Sequence, residues 1–277
     1  MNRPRGLLSP LLLLAACTAL PLPRAVTYHP SDADLSVTRI VHGSLILEMR
    51  GTRVLVDPWF HSGTVARQRE PLGLLPEALP SASAVLITHG HADHLDPEAL
   101  RAIAPKVPQV VAPPELHEKL AALGFTTVTD LAWWDRTSVG DIEITAVPTK
   151  HGVRENGYVL AHGGVTAYVA GDTRSFPEIV DIATVFPSLD VALLPIGGLR
   201  LLGLLREMSP EEAARAAALL GARRVIPIHY GARGFPPFTW RPSGVVERFA
   251  DACEKEGIGR ERVVVLEPGE SWHYYKK

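Results

Sequence analysis

From residue 36 onward the chain alternates short strand-like runs with helix-like runs, and some of the strand-like runs are apolar with no polar alternation. Residues 36–41, 44–49 and 53–56 read as three short strands, the last two joined at Arg50-Gly51, a pair suited to a tight hairpin turn. Residues 84–88 are apolar without polar alternation, the pattern of a strand covered on both faces. Residues 142–148, 158–161, 166–170, 191–195 and 224–228 also read as strands. Proline at the first turn predicts helices over 97–104 and 114–123. Ser209-Pro210-Glu211-Glu212 has the reciprocal spacing of a capping box, so a helix starts there and stops at Gly221. Two β-rich halves with helices outside them predict an α/β fold, a four-layer αβ/βα sandwich, as one domain over residues 35–277.

The chain before this domain has another character. Arg3 and Arg5 precede an apolar run over 7–16 that is too short to span a bilayer and reads as a signal peptide, residues 1–16. Leu14-Ala15-Ala16-Cys17 looks like a bacterial lipobox, which makes Cys17 a lipidated residue and 17–34, with three prolines, its tether. The expected location is then the bacterial cell envelope, lipid-anchored on the periplasmic or extracellular side. The alternative is an ordinary signal peptide cut elsewhere.

Composition narrows the function classes. With 277 residues, 46% hydrophobic, the chain can bury a full core, and 28 Lys+Arg against 30 Asp+Glu leave no basic excess to hold a nucleic-acid backbone by charge. Its two cysteines, Cys17 and Cys253, exclude a disulfide framework, and Cys253 falls in the apolar-periodic stretch 245–256 as a packed thiol.

The chemistry concentrates in His89-Gly90-His91-Ala92-Asp93-His94, directly after the apolar run 84–88. Imidazole nitrogen and carboxylate oxygen are good ligands for zinc and its neighbours, and the small spacers Gly90 and Ala92 let a loop curl around adjacent ions. Six residues cannot complete two coordination shells. Further ligands are expected at later strand ends, where His151 follows 142–148, Asp172 follows 166–170 and His229 follows 224–228.

With these stations in place, residues 36–270 resemble the metallo-β-lactamase superfamily: residues 88–96 match its signature, and Val56-Asp57-Pro58, Lys150-His151-Gly152, Gly171-Asp172-Thr173 and Ile228-His229-Tyr230 match its other stations in order. The resemblance implies that His89, His91 and His151 bind one ion, that Asp93, His94 and His229 bind a second, that Asp172 bridges them, and that Asp57 supports the cluster loop. Val41-His42-Gly43-Ser44, Trp133-Trp134-Asp135 and Pro195-Ile196-Gly197 look like the N-acylphosphatidylethanolamine phospholipase D-like enzymes, while Pro227-Ile228-His229-Tyr230-Gly231 is also similar to the ascorbate-6-phosphate lactonase-like branch.

The implied activity is hydrolysis by a metal-bridged hydroxide of a phosphodiester or phospholipid-like substrate, with two divalent ions, zinc first and manganese or iron as alternatives. A lactonase or other cyclic ester or amide hydrolase is the second reading, and a non-catalytic, membrane-tethered metal-binding protein the third. Asp93 is the expected proton shuttle, and His42 either supports the site or contacts substrate. The apolar stretch 199–208 is either a substrate entrance, with Arg200 or Arg206 meeting a phosphate, or a short buried helix; Trp133 and Trp134 are expected to pack.

Overall fold

In the computed structural model, residues 27–276 are described, except 64, 65, 108, 198, 203, 235–237 and 240–242. The predicted signal segment, Cys17 and the tether up to residue 26 lie outside the described residues. No helix among the described residues is long and apolar enough to cross a membrane.

The first half runs through β1 (Leu35–Val41), β2 (Ser44–Met49), β3 (Thr52–Val56), β4 (Ala66–Gln68), β5 (Ala84–Leu86), α1 (Pro97–Ile103), β6 (Gln109–Ala112), α2 (His117–Ala122) and β7 (Thr127–Asp130). The second half adds β8 (Arg136–Val139), β9 (Ile142–Val147), β10 (Gly157–His162), β11 (Val165–Val169), α3 (Ile179–Val185), β12 (Val191–Pro195), β13 (Arg200–Leu201), β14 (Leu204–Leu205), α4 (Pro210–Leu220), β15 (Arg224–Ile228), β16 (Ala232–Gly234), β17 (Phe238–Thr239), α5 (Val245–Lys255) and β18 (Ser271–Tyr274).

Two large sheets stack, one in the order β18-β1-β2-β3-β5-β6-β7 and the other β15-β12-β11-β10-β9-β8. Leu47, Val56 and Leu86 of the first meet Ile144, Tyr158 and Leu193 of the second in a fully buried core. The outer face of the first sheet is covered by α1 and α2 through Leu100 and Leu120, and that of the second by α3, α4 and α5 through Ile182, Ala217 and Phe249. This is the four-layer αβ/βα sandwich. Because helices cover the outside, β5, β12 and, from Val225, β15 are enclosed on both faces, which is why their sequences read as unbroken apolar runs. Each enclosed Leu, Ile or Val contributes roughly 1.5–3 kcal/mol relative to leaving it in water.

Strand direction sorts the loops into two poles. β3, β5, β6 and β7 run parallel, as do β11, β12 and β15, and the segments following β3, β5, β9, β11 and β15 meet at one pole. The opposite pole carries the turn at Arg50-Gly51 and the beginning of β1, where Leu35 pairs with Tyr274.

Several elements differ from the sequence expectation. β7 and β8 are sheet edges with exposed polar positions, so no apolar run announces them. The predicted helix 114–123 opens as a 3-10 turn before α2. The stretch 199–208 is no buried helix: β13 and β14 pair as a hairpin that leaves Leu202 78% and Leu204 63% exposed. The capping box at Ser209 and Glu212 forms as predicted, and Gly221 ends α4 in the left-handed region.

Candidate metal centre

The site begins with a loop held from behind. After β3 the backbone turns at Asp57 with φ 44°, a conformation disfavoured for a residue with a side chain and tolerated where surrounding bonds fix it. Its carboxylate accepts from Thr88 N at 2.8 Å and Thr88 Oγ1 at 2.7 Å, which ties β3 to the start of the His89–His94 loop. Asp96 closes the far side of that loop. It caps α1 by accepting from the Glu98 and Ala99 amides, and its other oxygen accepts from the Phe60 and His61 amides at 2.9 and 2.8 Å.

On this support the seven predicted ligands come together in two groups. His89, His91, His151 and Asp172 form one, Asp93, His94, Asp172 and His229 the other, and within each group one candidate ligand atom per residue lies within 4.8 Å of the rest. Asp172 belongs to both groups: Oδ1 lies 2.9 Å from His229 Nε2, and Oδ2 lies 3.2 Å from His94 Nε2 and 3.7 Å from His89 Nε2. In the first group His91 Nδ1 is 2.9 Å from His89 Nε2 and 3.2 Å from His151 Nε2. Nitrogens bound tetrahedrally to zinc stand about 3.3 Å apart, so the spacing suits a shared ion.

The imidazoles are oriented by carboxylates that face away from the site. Asp57 Oδ2 lies 2.8 Å from His94 Nδ1, Glu155 Oε1 lies 3.1 Å from His89 Nδ1, and Glu207 Oε2 is in close contact with His229 Nδ1. Each carboxylate draws the ring proton to Nδ1 and leaves the Nε2 lone pair pointing inward. His94 Nε2 and His229 Nε2 face each other at 3.0 Å, a spacing that calls for a positive charge between them, either a proton or a metal ion that takes its place.

Charge follows the same geometry. Burial alone presses an imidazole towards neutrality, and it takes His89 down to about 3, helped by the neighbouring His94, and His91 down to about 4, helped by His89. At His94 and His229 burial acts the same way, but Asp172 with Asp57, and Asp172 with Glu207, outweigh it and hold both rings well above the usual histidine range. Burial would raise Asp93 and Asp172, yet the surrounding histidines keep both carboxyls well below their usual range. Burial pushes the Glu155 carboxyl up to about 7.

His42 also turns in the left-handed region, φ 53°, and its side chain is fully enclosed. Its ring lies 3.7 Å from that of His229 and its Nε2 is 3.6 Å from Asp93 Oδ2, so it reaches the site through these two residues. His91 is exposed and His151 half-buried, and they mark the open side of the centre. Exposed Trp134 corrects the packing expectation, whereas half-buried Trp133 donates from Nε1 to Glu155 O at 2.8 Å and carries Arg154 over its ring.

Sequence reasoning missed Glu155 and Glu207. Glu155 accepts from the Asp172 amide at 2.7 Å as well as facing His89, and Glu207 accepts from Leu199 N at 2.5 Å as well as facing His229. Their signal was an acid in loops otherwise rich in apolar or basic residues. Gly171 is required by the same contact: it sits at φ 65°, and a Cβ there would stand 2.6 Å from Glu155 Oε1.

The Beta-lactamase superfamily domain matches residues 52–230 of this chain. A UPF0173 metal-dependent hydrolase of Koribacter versatilis is 31% identical over 86% of this chain and 97% of its own length, and one of Pyrococcus furiosus is 33% identical over 86% and 98%. The structure of Igni18, a metallo hydrolase from the archaeon Ignicoccus hospitalis, aligns with a TM-score of 0.71 and 26% identity over 88% of this chain and 99% of that one. The match across the ligand-bearing strands and the full-length relatives together establish that the chain belongs to the β-lactamase superfamily, among the UPF0173 metal-dependent hydrolases.

Proposed function

We propose that two divalent cations, zinc first with manganese or iron as alternatives, are held by His89, His91, His151 and Asp172 and by Asp93, His94, Asp172 and His229, and that the substrate is a phosphodiester or phospholipid-like ester. The observation that carries this reading is Asp172, whose two oxygens reach both groups of imidazoles. Divalent ions held there supply Lewis acidity, easing the ionisation of water near neutral pH and drawing electron density from a phosphoryl or carbonyl oxygen.

The chain's own residues divide the remaining work. Asp57, Glu155 and Glu207 fix three rings in the tautomer that presents Nε2. Asp93, with a side chain 10% exposed, keeps its carboxylate charged beside His229 and His42 and can accept a hydrogen bond from an approaching water or leaving group. His42 is a positioning residue for Asp93. The segments around the centre bear Lys150, Arg154, Arg174, Arg200 and Arg206, against buried Glu155 and Glu207 and the exposed acids Glu178 and Glu115, the last 3.6 Å from Arg154. A rim of that sign favours an anionic substrate.

Turnover of bis-p-nitrophenyl phosphate, acyl-lactones and nitrocefin by zinc- and manganese-loaded protein tests the reading. The diester is expected to lead and chelation to abolish its turnover. Preference for a lactone would replace the substrate class, and no metal-dependent turnover of any of the three would overturn the proposal.

A further inference from the structure

The pole opposite the metal centre holds a cleft of 470 Å³ lined by Arg223, Arg224, Arg262, Tyr274, Tyr275 and Lys276. Four cations line it. They meet one fully buried carboxylate, Asp190, which lies 3.1 Å from Lys276 Nζ and 3.6 Å from Arg223 Nε and accepts from Tyr274 OH at 2.8 Å and from the Thr166 amide at 3.0 Å. The other two cations are held by neutral acceptors: Arg224 donates to Arg223 O at 3.1 Å, and Arg262 donates to Arg223 O at 3.2 Å and to Ala222 O at 2.6 Å. Carbonyls position a guanidinium without cancelling its charge; Asp32 and Asp34 also border the cleft at Tyr275 and Lys276, Asp34 being paired with Arg50, so the positive excess is concentrated at Arg223, Arg224 and Arg262, with the Arg223 side chain 62% exposed.

The start of the described chain is stitched to the same pole. Ser31 pairs with His273, Tyr275 OH donates to Asp32 Oδ1 at 3.0 Å, and the Lys276 amide donates to Asp34 Oδ2 at 2.9 Å. The described chain passes the cleft at residues 31–34, after Tyr28, which is held at Glu48 and Arg53. Cys17 lies only eleven residues before Tyr28, a span of at most about 40 Å even when fully extended.

We propose that this basic cleft docks on the phosphate groups of an anionic bilayer, the membrane to which a lipidated Cys17 would hold the chain. The choice of a membrane rests on the sequence expectation for Cys17; the charge and the passage of residues 31–34 beside the cleft rest on the structure. Docked in this way, the domain turns its metal centre to the far side, separated from the lipid by the length of the strands, about 20 Å. The centre then opens to water, and of the substrates proposed above a soluble phosphodiester fits and a lipid of the same bilayer does not.

Flotation of the metal-loaded full chain on phosphatidylcholine vesicles, with and without phosphatidylglycerol, tests this against R223Q/R224Q and, separately, R262Q. Each basic side chain at an anionic surface is worth about fivefold in partitioning, so the double variant is expected to lose about 25-fold of the phosphatidylglycerol-dependent binding and R262Q about fivefold. Salt is expected to weaken the wild type in the same way. Turnover of the soluble diester should stay at the wild-type level in both variants, which separates loss of docking from loss of fold. Equal flotation of the wild type on neutral and anionic vesicles, or equal dependence on phosphatidylglycerol in wild type and variants, overturns the proposal.

Discussion

Replacing Glu155 by glutamine probes the carboxylate support at its most connected point. One oxygen of Glu155 serves both the Asp172 amide at 2.7 Å and His89 Nδ1 at 3.1 Å, and the side chain is fully buried. Above pH 7, where the Glu155 carboxyl is charged, glutamine keeps an acceptor there but removes the charge, turning a charge-assisted bond into a neutral one of about half the strength. Loss of such an outer partner lowers metal affinity about 10- to 100-fold, equivalent to about 1.4–2.7 kcal/mol. Glu155→Ala goes further, since both donors lose their acceptor in a space closed to water, at about 1–3 kcal/mol each. Zinc competition against a chelating dye reads the affinity, and urea unfolding of metal-free protein reads the stability. E155Q is expected to bind zinc more weakly with stability near that of the wild type, and E155A to lose both. An E155Q affinity within about twofold of the wild type, well short of the loss expected for an outer partner, would refute the reasoning.

Two further outcomes follow from charge in enclosed places. His89 and His91, at about 3 and 4, are neutral at pH 7, whereas His94 and His229 sit well above the usual range and hold protons that an entering ion must displace. Zinc uptake at pH 7 should therefore release protons, its affinity should rise with pH, and acid should empty the Asp93, His94 and His229 group first; calorimetry giving the same binding enthalpy in buffers of different ionisation enthalpy would contradict this. Arg39, fully buried, pairs with Glu70 at 2.5 Å and lies 4.2 Å over the Tyr230 ring. Glu70→Ala strands that cation and should cost about 2–4 kcal/mol in urea unfolding, somewhat under the usual range because Glu70 is 22% exposed; a loss typical of a surface pair, below about 1 kcal/mol, would show that the buried guanidinium finds other compensation.

Much of this architecture was legible in the sequence because the residues that build it are locally marked. Strands enclosed on both faces must be apolar throughout, so β5, β12 and β15 declared themselves, and each of the ligand stations His89, Asp172 and His229 lies just beyond a strand end. The capping box of α4 is equally local. What stayed hidden depends on the third dimension. β7 and β8 lie at sheet edges where polar side chains face water, and the 199–208 hairpin shows Leu202 and Leu204 to solvent instead of burying them as a helix would. Glu155 and Glu207 were invisible as site residues because their partners, His89 and His229, are 66 and 22 positions away, and no periodicity links an acid to a ring across the sandwich. The branch resemblances have the same limit, since substrate choice lies in the rim loops and the ligand stations are shared across the superfamily.

Asp172 belongs to both groups of candidate ligands, and the proposed pair of ions would share it. Elemental analysis of protein purified without added metal tests this pairing most directly: two equivalents per chain are predicted, falling when His89 or His229 is replaced by alanine and lowest when Asp172 is. Metal-free protein that hydrolyses the diester at full rate, or a metal content unchanged by Asp172→Ala, would contradict it.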